Sequence, residues 1–152
     1  MELRELQSIQ HKFDQGNAKL TLLSDCLLHI NDKHEINLVV ESIDQKRGEL
    51  KFWFAGANYY AKVRISDRGI DDIGTSYRVP IGWIDWGRYS HDADPPIQSN
   101  FYDERGILCE EEKQEFYCSF EACDDEKTAS VLIRTLQMLA SRSIAVNNTI
   151  ST

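Results

Sequence analysis

Apolar and polar positions alternate along this chain in two different rhythms, and the switch between them outlines the fold. Leu3, Leu6, Ile9 and Phe13 recur at steps of three and four with Glu, Gln and Lys between them, which predicts an amphipathic helix over 2–15. Gly16-Asn17 then reads as its stop. From 20 to 30 the pattern fits two elements. Leu20, Leu23, Leu27 and Ile30 suit a helix, while Leu20, Leu22, Cys26, Leu28 and Ile30 alternate as a strand would. The even alternation and Thr21 favour the strand.

The period then becomes two. Residues 36–43, 49–55 and 59–65 read as three strands, separated by Asp44-Gln-Lys-Arg-Gly48 and by Gly56-Ala57-Asn58. In the third strand Tyr59, Ala61, Val63 and Ile65 share one face, and Tyr60, Lys62 and Arg64 share the other. One apolar face and one wet face call for helices on a single side of the sheet. Trp53 breaks the pattern, because it sits opposite Phe52 and Phe54 and makes both faces of its strand apolar. The face around Trp53, Tyr60 and Arg64 is therefore a candidate dimer or ligand surface.

Residues 67–100 lose the period. Gly69, Gly74, Pro80, Gly82, Gly87 and Pro95-Pro96 punctuate them, so an irregular loop is expected, with short strand pieces near 76–81 and 97–102. A strand region follows at 108–122, and Asp124-Asp125 caps a final helix with Ala129, Leu132, Ile133, Leu136, Leu139 and Ala140 on its apolar stripe. A frayed polar tail is expected from Asn147. The reading is one α+β domain over 1–152. Its antiparallel sheet has five or six strands, a meander at 36–65 and more strands after 97, and carries an N-terminal and a C-terminal helix. The order of elements is similar in layout to small acidic secretion chaperones, with no motif specific to that family.

Charge narrows the class of partner. The chain carries a net charge of −8. Residues 103–126 hold ten acids against only Arg105 and Lys113. Phosphate backbones need a basic face, so direct nucleic-acid binding is disfavoured and a basic protein partner is favoured. No apolar run is long enough to span a membrane, and the first residues lack the apolar core of a signal peptide, so a cytoplasmic protein with reduced thiols is expected.

No catalytic or cofactor signature stands out. The histidines (His11, His29, His34, His91) and the cysteines (Cys26, Cys109, Cys118, Cys123) lack the spacing of a metal site, so no metal and no cofactor are expected. His91, Asp92 and Asp94, or the carboxylates Asp71, Asp72 and Asp85, form at most a minor candidate for a small hydrolase.

The strongest cluster is Tyr77, Arg78, Trp83, Trp86, Arg88 and Tyr89, the residue types that dominate binding hot spots. Trp83 and Trp86 are three apart, so an extended chain sends them to opposite sides, one to the core and one outward. With Glu110, Glu111 and Glu112 this cluster predicts a non-catalytic module that occludes or chaperones a basic partner, in the manner of an immunity protein or anti-defence inhibitor. The alternative is a binder of a small anionic ligand through Arg64, Arg78 and Arg88.

Overall fold

The structure is a computed structural model. It describes residues 3–68, 79–89 and 95–150, with the backbone alone for 67, 68 and 143–150. Helix α1 (Leu3–His34) is followed by strands β1 (Val39–Asp44), β2 (Glu49–Phe54), β3 (Ala57–Arg68), β4 (Val79–Arg88), β5 (Gln98–Asp103), β6 (Gly106–Glu111) and β7 (Gln114–Cys118), then by helix α2 (Glu126–Ile150). The strands form one antiparallel sheet in chain order, β1 to β7. The α+β class with two terminal helices is as the pattern predicts, with seven strands among the described residues. None of the described helices is long and apolar enough to cross a membrane.

Helix α1 does not stop at Gly16, and 20–30 is not a strand. Gly16, Leu20, Leu23, Leu27 and Ile30 form one buried stripe at helical spacing. Gly16 lies within that stripe. A side chain there would meet the Tyr102 hydroxyl and the Val63 methyls at 2.6–2.7 Å, so the glycine marks a close approach of helix and sheet. The helix ends instead at Glu35, whose φ of 50° leaves the helical region. The Asn31 side chain accepts a hydrogen bond from the Leu38 amide at 2.9 Å and fixes the exit.

Both helices cover the same face of the sheet. Leu50, Phe52, Tyr59, Ala61, Val63, Ile84, Trp86, Tyr102, Ile107 and Cys109 meet α1 and α2 there in one core. Helix α1 lies over β1–β4, while Val131, Leu132 and Thr135 of α2 approach β4–β6. Asp125 caps α2 by accepting from the Thr128 amide at 3.1 Å.

Most of the described residues within the expected loop at 67–100 are strand. Strand β4 pairs along its length with β3, from Arg68↔Val79 to Tyr59↔Arg88. Its glycines are not turn residues. Gly82 lies against the Tyr102 ring from β5, and Gly87 lies against the Tyr60 ring from β3, with 2.5 Å from a virtual Cβ to the phenol oxygen. Two cross-strand rings occupy the space that side chains on β4 would need. The single strand region expected at 108–122 is a hairpin, β6 and β7, whose turn residues Glu112 and Lys113 both have positive φ (50° and 66°). Asn-Gly usually announces such a turn, and its absence here hid the seventh strand.

Candidate functional site: the uncovered sheet face

The face of the sheet away from the helices carries Trp53 on β2, Tyr60 and Arg64 on β3, Trp83 and Asp85 on β4, Phe101 on β5 and Tyr117 on β7. The pairings Lys51↔Tyr60, Arg64↔Trp83, Trp83↔Phe101 and Leu108↔Tyr117 place them on this common side. Alternation alone puts them there, because each is one residue out of step with a core residue.

Polar contacts hold the centre of this face rigid. The Trp83 indole donates to Ser66 Oγ at 2.8 Å and meets the Phe101 ring edge-on, with centroids 6.0 Å apart. Arg64 lies 5.3 Å from the Trp83 ring and grips Asp85 through two bonds, Nε at 2.7 Å and Nη2 at 3.2 Å. Asp85 is 8% exposed and also accepts from Ser99 Oγ at 2.6 Å. Its buried charge is therefore answered by three donors.

Further cations are engaged in the same way. Lys51 sits 4.0 Å from the Tyr89 ring and 3.6 Å from Glu49, and its contact with Tyr89 is the main cause of its raised pKa. Arg105 binds Asp103 at 2.6 Å and the Tyr117 hydroxyl at 2.7 Å.

The acids at the β6–β7 end are in a different condition. Glu110 faces Glu115 directly across the hairpin, and Glu112 lies in its turn. All three are exposed and make no ion pair with any cation among the described residues. Like charges opposite one another on a sheet destabilise it. The uncovered face thus joins a ring-lined centre, where Arg64, Arg105 and Lys51 are paired and Lys62 is exposed, to an acidic end.

The residues singled out in the sequence divide between sites. Trp83 is half-buried on the uncovered face, Tyr89 is 38% exposed, and Trp53 is 45% exposed. Trp86, at 3% exposure, is a core residue packed edge-on against Phe52, so its predicted place in a contact surface is corrected. Arg88 pairs in register with Tyr59 and shares the helix side of the sheet. Glu111 also lies on that side, bound to Arg134 at 2.7 Å, and does not join Glu110 and Glu112 in one patch. Tyr77, Arg78, Asp71, Asp72, His91, Asp92 and Asp94 lie outside the described residues.

The acids of 103–126 are likewise divided. Asp103 pairs with Arg105, Glu111 with Arg134, and Asp125 caps α2. The sequence reading missed Lys51, Phe101, Tyr117 and Glu115. Alternation within 98–103 and 114–118, read from the buried Tyr102 and Cys118, carries the signal for the last three. Among the described residues, no three His, Cys, Asp or Glu side chains converge as metal ligands. Comparison with protein-family models, with curated proteins and with solved structures finds no match to this chain.

Proposed function

We propose that this chain is a non-catalytic protein-binding module that holds a basic partner against the uncovered face of its sheet. The observation that carries the reading is the imbalance of that face. Arg64 and Arg105 are neutralised by Asp85 and Asp103, whereas Glu110, Glu112 and Glu115 have no cation partner among the described residues. A partner's Lys or Arg side chains relieve the Glu110–Glu115 repulsion, while Trp53, Trp83 and Phe101 supply rings on which apolar parts pack. The net charge of −8 speeds the approach of a basic protein. Binding in this mode blocks the partner's basic surface, with carboxylates standing where phosphates would otherwise lie, as an inhibitor, immunity protein or chaperone does.

The small-anion alternative has less support, because the Arg64 guanidinium already spends two donors on Asp85. A second copy of this chain is a competing occupant of the same face through Trp53 and its neighbour Val39.

The test is capture from lysate with the wild-type chain and with the Glu110→Lys/Glu112→Lys/Glu115→Lys variant, each at low and high salt. A protein captured stoichiometrically by the wild type should have a basic surface, be released by salt, and be lost from the charge-reversed bait. The variant Glu121→Lys/Glu126→Lys, reversed away from this hairpin, should retain it. Equal capture by wild type and triple variant refutes the reading. A salt-insensitive dimer in native mass spectrometry that Trp53→Ala dissolves assigns the face to a second copy instead.

A further inference from the structure

Helix α1 and the connection into α2 bring together two cysteines 97 residues apart in sequence. Cys26 is fully buried on α1, and Cys123 is half-buried in the segment between β7 and α2. Their sulfurs are 2.7 Å apart, and the Cys26 thiol also donates to the Phe120 carbonyl at 3.3 Å. A disulfide bond measures about 2.05 Å, so an approach of about 0.7 Å joins the pair. The surroundings hold both ends in place. Phe120 is buried with a φ of 58°, and Asp125 is anchored two residues after Cys123 by its cap on α2.

The remaining cysteines are differently placed. The Cys118 sulfur faces the Thr128 hydroxyl at 3.5 Å, and the Cys109 sulfur faces the Ile107 carbonyl at 3.5 Å. Cys123 also borders an open groove of about 460 Å³ between the end of α1 and the start of α2, lined by His29, Lys33, His34 and Arg134. A small oxidant therefore reaches Cys123 from solvent, whereas Cys26 lies behind it.

We propose that Cys123 and Cys26 are a modification site, a thiol pair that a hydroperoxide converts to a reversible disulfide fastening α1 to the entry of α2. The Cys123 thiolate attacks one peroxide oxygen. The O–O bond breaks, hydroxide leaves and Cys123 becomes a sulfenic acid. The hydroxide takes the Cys26 proton. The Cys26 sulfur then attacks the Cys123 sulfur, the S–O bond breaks and the oxygen departs as water after protonation. Two thiols have lost two electrons, and hydrogen peroxide has gained them as two waters.

Burial, and then the Cys123 contact, push the Cys26 thiol well above its ordinary pKa, so Cys26 stays protonated and the first attack falls to Cys123. The bond closes a loop that contains the seven described strands, so the oxidised chain resists unfolding more than the reduced one.

The experiment takes the reduced full chain, adds hydrogen peroxide in slight excess, alkylates the remaining thiols and maps peptides without reductant. The expected result is two protected cysteines recovered as a Cys26–Cys123 peptide pair. The melting temperature should rise on oxidation and return with dithiothreitol. Cys123→Ser should abolish both changes, while Cys109→Ser should keep them. Four alkylated cysteines, a pair joining Cys118 to Cys123, or a bond between two copies overturns the proposal. The wild-type map decides this even where Cys123→Ser fails to fold.

Discussion

Phe52 and Trp53 are adjacent on β2, yet they belong to different environments. Phe52 is 0% exposed among Tyr59, Trp86 and the helices, and Trp53 is 45% exposed on the bare face. The glycines of β4 repeat the contrast. Gly82 gives room to the fully buried Tyr102, whose hydroxyl is fixed to the Lys12 carbonyl at 2.6 Å, and Gly87 gives room to Tyr60 on the bare face. The same chemistry, a ring seated over a glycine or beside an apolar neighbour, serves packing on one side and presentation on the other. What separates the roles is whether the surroundings can yield.

The sharpest test of this contrast is truncation of the two β2 rings. Phe52→Ala should cost about 4 kcal/mol in urea unfolding, because it leaves a cavity in a closed core. Trp53→Ala should cost under about 1 kcal/mol while weakening partner capture. Equal losses in stability would mean that the bare face is covered in the folded chain.

The β4 glycines come next. Gly82→Ala drives a methyl into a ring with no room to move and should cost about 3 kcal/mol. Gly87→Ala meets the Tyr60 ring on the uncovered face, which is not enclosed by the helices, and should cost about 1 kcal/mol. A reversed order would put the rigid side of the sheet outside.

A smaller effect separates the caps from the faces. Asp125→Ala removes the bond to the Thr128 amide and should cost about 1 kcal/mol with partner capture unchanged.

The smallest effect is in acid. Burial pushes the Asp103 carboxyl up, but the Arg105 side chain and backbone bonds outweigh it and hold it below the usual carboxylate range. A carboxyl depressed in the folded state contributes stability that is fully present above the unfolded pKa and is lost as pH falls through the folded one. Asp103→Asn should therefore flatten the loss of melting temperature below about pH 4 relative to wild type. An unchanged acid limb would show that the Asp103–Arg105 pair does not couple to folding.

The sequence rhythm carried much of this architecture. The 36–65 meander, the α2 stripe and the Asp125 cap are legible because each is local, decided by neighbours two to four positions away. The opposite facings of Trp83 and Trp86 follow from extended geometry for the same reason. Gly16, Gly82 and Gly87 were misread because their purpose is distant. Each is small to admit a side chain from another element, and nothing beside it in the chain announces Val63, Tyr102 or Tyr60. The Glu112-Lys113 turn was hidden because residues that rarely take positive φ occupy it. At the candidate site, the wet face of β3 was readable from alternation. The Arg64–Asp85–Ser99 network and the Cys26–Cys123 contact were not, since both join residues that share no local pattern.

Strand order along the sheet equals strand order along the chain, and this bears on how the molecule is made. During synthesis each hairpin can zip onto the one before it, since its partner has only just emerged, and such short-range pairing is fast. Helix α1 is the exception. Translated before the sheet, it must wait for the strands β1–β4 that it covers, and its Lys12 carbonyl waits for Tyr102, which follows by 90 residues. Ribosome-bound chains arrested before β4 should therefore leave that helix open to proteases and holding chaperones, and release from them should coincide with the appearance of the fourth strand.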